Sequence, residues 1–158
     1  MRLATQPATL LVLGAIAGGL LGGGFSYWRF GRPTPSAADR WEAFRQAQLM
    51  TGAQLFAVQW NGAPMTFVLR DCSVYLAEEA SDGMIARTRV LKTGFYLLPT
   101  ACTSQSLRAG DQFLVAELAN RAIGAGGGNT TGGTYRSRDG RAWEKETATG
   151  WTAVDEAQ

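Results

Sequence analysis

The residues able to do chemistry in this chain are few. Its 158 residues include no His. Without an imidazole, the Ser-His-Asp and Cys-His relays and the His-bearing zinc sites are excluded, since each needs that ring to carry a proton or a metal. Cys72 and Cys102 are the only cysteines, too few for an all-thiolate metal site but the right number for one disulfide. Glu78-Glu79 falls in an expected turn, where adjacent side chains diverge and paired acid–base work is disfavoured. Glu117, the one acid in an otherwise apolar strand, reads as an outward-facing residue. The run 124–133 holds six Gly in ten positions, but it lacks the Gly-Lys-Ser/Thr of a phosphate loop and no helix follows it. It reads as a flexible loop, with contact to a partner as the functional alternative. Asn129-Thr130-Thr131 fits a glycosylation acceptor, which matters only in a eukaryotic secretory pathway. Tyr75, Tyr96 and Tyr135 with five Trp have the rings to stack a sugar or peptide, and core packing is their simpler use. No catalytic residue, cofactor, cofactor-binding residue or metal ligand is assigned.

What must position any function is the N-terminus. Residues 8–28 carry no Asp, Glu, Lys, Arg or His and number twenty-one, enough for a helix across the roughly 30 Å core of a bilayer. Within them Gly14, Gly18 and Gly22 recur every fourth residue, so they share one helix face and leave a smooth backbone groove. Each Gly costs about 0.8–1 kcal/mol of helix propensity, which a closely packed partner helix offsets. That partner is either a second copy or another integral membrane subunit. The simpler alternative is that Gly is common in membrane spans. The trailing end carries Tyr27, Trp28, Arg29 and Arg32, the aromatic and snorkelling residues of a headgroup region. Ala15-Ile16-Ala17 also offers a signal-peptidase site, though the apolar core before it is short, so the retained anchor is the preferred reading.

Orientation is argued in two directions. Arg29, Arg32, Arg40 and Arg45 follow the span and only Arg2 precedes it, which keeps the larger part in the cytoplasm by the positive-inside rule. Two cysteines, with Thr, Ser, Gly and Gln-rich strands and hardly any Lys, point to an oxidising compartment. The cysteines and the strand composition outweigh the arginine count, and a bacterial inner-membrane protein with a periplasmic C-terminal domain is expected. From residue 31 on, 13 basic and 13 acidic side chains cancel, so the basic excess expected of a nucleic-acid binder is missing.

Three segments follow: a tail and span over 1–30, a Pro-containing linker with a juxtamembrane helix over 31–52, and a β-rich domain over 53–158. Pro33 and Pro35 stop the span helix. Ser36 with Asp39 marks the start of a helix over 37–50, and Gly52 its end. Its Trp41, Phe44 and Leu49 pack either on the domain or on a membrane or partner. The period then changes to two. Phe56, Val58 and Trp60 alternate up to Asn61-Gly62, the pair that tolerates positive φ at both turn centres, which predicts a β-hairpin. Further strands are expected at 72–77, 85–91, 95–98, 112–118, 134–137, 142–145 and 150–154, with Cys102 in a loop. The fold class is mainly β, an antiparallel sandwich or partly open barrel of about seven or eight strands, beside one transmembrane helix and a short juxtamembrane one.

Ser137, Asp139, Gly140 and Trp143 resemble the Asp-box hairpin of sialidase-like and related β-propeller repeats, one residue shorter than Ser-x-Asp-x-Gly-x-x-Trp. The resemblance spans under ten residues and occurs once, whereas propellers repeat it blade by blade. It implies a stable tip in which Asp139 hydrogen-bonds its own turn and Trp143 packs beneath, and it implies no glycosidase. The function expected is therefore that of a non-enzymatic, single-pass accessory subunit of an envelope complex, such as a secretion, conjugation, pilus or respiratory assembly. The alternative is a tethered module that binds carbohydrate or peptide through exposed aromatics and the glycine-rich loop.

Overall fold

The computed structural model describes residues 34–94, 99–123 and 130–154. The helix-packing glycines Gly14, Gly18 and Gly22 and the anchors Tyr27, Trp28, Arg29 and Arg32 lie outside the described residues. So do the strand expected at 95–98 and most of the glycine-rich run. Among the described residues no helix is long and apolar enough to cross a membrane.

Among the described residues, one helix and nine strands follow in order: α1 (Ala37–Met50), β1 (Gln54–Trp60), β2 (Ala63–Arg70), β3 (Ser73–Glu79), β4 (Ile85–Lys92), β5 (Thr100–Ala109), β6 (Leu114–Ala122), β7 (Thr130–Ser137), β8 (Glu144–Thr147) and β9 (Gly150–Ala153). The strands form two antiparallel meanders in sequence order, β1-β2-β3-β4 and β5-β6-β7-β8-β9, stacked as a β sandwich. Among the described residues there are nine strands, where about seven or eight were expected. The chief omission was β5, which holds Cys102 inside a strand rather than a loop.

The alternation of the sequence dictates what lies between the sheets. In β6, Leu114, Ala116, Leu118, Asn120 and Ala122 point inward and are buried, while Glu117 and Arg121 point out. From the first sheet Phe67, Leu69, Val74, Leu76 and Leu91 meet them, joined by Trp60, Tyr135 and Trp143. A ring buried as Phe67 is, with no exposed surface, contributes about 2–3 kcal/mol. The first sheet is also covered on its outer face. Val68 and Ala77 lie under α1, whose Trp41 and Phe44 meet edge to face with centroids 5.8 Å apart. Thus the helix packs on the domain, which explains the unbroken apolar run Phe67-Val68-Leu69: alternate residues serve different layers. Arg40 to Glu79 and Arg87 to Gln48 fasten the helix to β3 and β4.

Two sequence expectations fail here for a physical reason. Glu78 and Glu79 lie within β3 rather than in a turn, each held by an arginine distant in sequence, Arg141 and Arg40. Gly132 and Gly133 lie within β7 rather than a loop, paired to Ala119 and Leu118. Gly132 has φ +124° and a Cβ there would stand 2.1 Å from the Leu118 carbonyl oxygen. The glycine allows a close strand approach. Gly132→Ala is therefore expected to lower the denaturant midpoint by more than a Glu117→Ala change on the neighbouring exposed position. Equal midpoints would show that the approach is not tight.

Candidate functional site

Two turns marked by sequence meet at one end of the sandwich. Asn61 and Gly62 have φ of 51° and 79°, the two positive values of a tight hairpin between Trp60 and Ala63. From this turn Trp60 Nε1 and Asn61 Nδ2 both donate to the Arg138 carbonyl oxygen, at 2.7 and 2.9 Å. Arg138 belongs to the β7–β8 tip, where Asp139 Oδ1 accepts the N–H groups of Arg141 and Ala142 at 2.8 and 2.9 Å. Gly140 donates its N–H to Ser137 Oγ at 2.8 Å. With φ +76°, its missing Cβ leaves room for the Phe67 ring, which that atom would meet at 2.7 Å. Trp143 lies beneath, 3% exposed. Arg141 reaches Glu78 across the sheets. This end is a polar clamp closed over the core.

The opposite end of β2 carries a covalent clamp. Cys72 and Cys102 form a disulfide with Cα atoms 5.3 Å apart. It joins the β2–β3 turn of one sheet to β5 of the other. Asp71 and Cys72 form that turn with φ of 50° and 52°, a left-handed conformation costing roughly 1–2 kcal/mol per non-glycine residue. Gln105, missed by sequence reasoning, holds the turn as well: its Oε1 accepts the Cys72 N–H at 3.1 Å and its Nε2 donates to the Leu69 carbonyl at 3.3 Å. Its signal was faint, a Gln spaced three from Cys102 in a polar segment. Beside the bridge a cleft of about 470 Å³ is lined by Asp71, Lys92, Thr93, Thr100, Cys102 and Asn120 among others. Its one carboxylate, Asp71, is exposed and paired with Arg70, and its Asn120 amide donates to Thr93 Oγ1.

These geometries brace the fold. Ser137 Oγ is occupied within its own tip, 2.6 Å from the Ala142 carbonyl oxygen and 3.1 Å from Asp139 Oδ1. Among the described residues no three His, Cys, Asp or Glu side chains gather as metal ligands would. The aromatic side chains divide by use: Trp60, Trp143 and Tyr135 are buried, and Arg87 covers Tyr75 at 5.2 Å from its centroid. Tyr96 lies outside the described residues. On the second sheet's outer face Arg136 is stacked between Phe113 and Trp151, 4.5 and 4.1 Å from their centroids, and bonded to Glu144. That stack was unforeseen, although Arg136 near the end of β7 and Arg138 just past it stand two apart, the spacing of a shared face in extended chain. Neither a protein-family model, nor a curated protein, nor a solved structure matches this chain.

Burial raises the Asp139 carboxyl, but the Arg141 and Ala142 amides and the Ser137 hydroxyl outweigh it and hold the group below its ordinary value of 3.8. Such a carboxylate adds stability above its unfolded pKa and loses it as pH falls through the lower folded one. Urea midpoints of wild type and Asp139→Asn should therefore differ most near neutrality, and the gap should shrink below pH 3.8. A gap independent of pH would show that the charge does not brace the tip.

Proposed function

We propose that this chain is a non-enzymatic, single-pass membrane-anchored subunit of a bacterial-type envelope complex, with its β domain on the oxidising side. The span 8–28 would dock through Gly14, Gly18 and Gly22 against another integral membrane helix or a second copy, with Tyr27, Trp28, Arg29 and Arg32 at the headgroups. Inner membrane with a periplasmic domain is the location proposed. No cofactor and no nucleic-acid partner enters this reading.

The observation that carries it is the Cys72–Cys102 bridge. A disulfide between two sheets persists where glutathione and thioredoxin do not reduce it, which favours export over the arginine count. The way carboxylates are used supports a scaffold: Glu42, Glu78, Glu79, Glu117 and Glu144 each pair with an arginine. An acid–base site needs carboxyls set against one another or against burial. The other reading, a module for carbohydrate or peptide, would rest on Trp151 and Phe113 around Arg136.

Replacing Gly14, Gly18 and Gly22 together by Ile fills the groove while keeping the segment apolar. The chain should then still fractionate with membranes but lose, by about tenfold or more, the integral proteins that co-purify with it in mild detergent. Unchanged co-purification would remove the docking role. Loss of membrane fractionation in the unaltered chain would remove the anchor.

A further inference from the structure

Among the described residues, three of the four sheet edges carry a device that discourages another chain from pairing. β4 presents Arg87, Arg89 and Lys92. β5 has a bulge between Cys102 and Ser104 and an arginine at 108. β9 is four residues long. Charge, bulge and shortness are the usual means of blunting an edge. The fourth edge, β1, has none of them. Its seven residues Gln-Leu-Phe-Ala-Val-Gln-Trp contain no charge and no proline, and among the described residues only β2 pairs with it. Phe56 and Val58 pack on the inter-sheet core yet stay partly exposed. Leu49 and Met50, 54% and 88% exposed, immediately precede the loop into the same strand.

We propose that the β1 edge pairs antiparallel with the β1 edge of a second copy, about a twofold axis at Ala57, so that two four-stranded sheets become one. The register follows from the hairpin. A two-residue turn closes on a hydrogen-bonded pair, here Trp60 and Ala63, so Val58 and Phe56 turn their backbone groups toward β2. Leu55, Ala57 and Gln59 turn theirs outward. Centring on Ala57 opposes Leu55 to Gln59 of the second copy and Ala57 to itself, making roughly six new backbone hydrogen bonds. On the inner face Phe56 meets Val58 of the second copy, an aromatic and β-branched pair of the favourable kind. A strand without charge places no like charges opposite when paired with itself, which makes a second copy the fitting occupant. The pairing does not depend on the membrane role proposed above.

Ala57 is exposed, so Ala57→Cys leaves the core untouched. In the full chain, with the native cysteines bridged to each other, it puts two thiols on paired Cα atoms about 5.5 Å apart, within disulfide reach. Mild oxidation should give a covalent homodimer of Ala57→Cys, verified by mass, while Ala86→Cys on the β4 edge stays monomeric. Adding Gln59→Pro, which deletes one outward N–H and none of the β1–β2 ladder, should cut the yield at least about fivefold. The proposal is overturned if Ala57→Cys forms no more homodimer than Ala86→Cys, if Gln59→Pro leaves the yield unchanged, or if the trapped adduct contains a different protein.

Discussion

The bridge between Cys72 and Cys102 is the constraint on which the arrangement of this domain depends. Each sheet is a meander whose strands pair with their chain neighbours, so each is specified by local sequence, but nothing local says how two meanders stack. The bridge fixes one point of the stack by tying the β2–β3 turn to β5. In the chain-entropy view, closing a loop of 30 residues is worth on the order of 3–4 kcal/mol. That exceeds the roughly 1–2 kcal/mol of left-handed backbone at Cys72, a conformation Gln105 also supports through the Cys72 amide. A second point is fixed at the other end of β2, where Trp60 and Asn61 share the Arg138 carbonyl. With both ends pinned, the apolar faces between them have one way to meet.

The consequence is an asymmetric object. The first sheet is covered on both faces, by the second sheet and by α1, while the second sheet has a polar outer face with the Arg136 stack among its features. Ion pairs run between elements, helix to β3 through Arg40 and tip to β3 through Arg141. Exposed pairs of this kind contribute little to stability one by one, so their effect is to set orientation. Charged groups thus brace the elements of this domain against one another.

Much of this was legible in the chain, and the reasons differ by element. Gly52 marked the end of α1, and Asn61-Gly62 marked the first turn, because both are demands on local φ that few residues meet. The Ser137 to Trp143 pattern likewise carried its own hydrogen bonds in its spacing. β5 escaped because Thr100–Ala109 is almost all Thr, Ser, Gln and Ala. Its inward positions are Cys102, Gln105 and Leu107, two of them serving the clamp rather than an apolar face, so no period of two stands out. Gly132 escaped for the opposite reason: glycine reads as loop, yet here it lets β6 and β7 approach. Glu78 and Glu79 looked like a turn because their partners lie 63 and 39 residues away in sequence, beyond any local signal.

Both the stacking of the sheets and the proposed location require that the Cys72–Cys102 bridge be formed where the protein works. The direct measurement is thiol alkylation of freshly lysed cells, before and after reductant, read by the mass of the peptides holding Cys72 and Cys102. With the bridge formed, both cysteines resist labelling until reduced and then take up label together. Full labelling of both before reduction would contradict it, because the sheets would then be unstapled and the domain would face a reducing compartment.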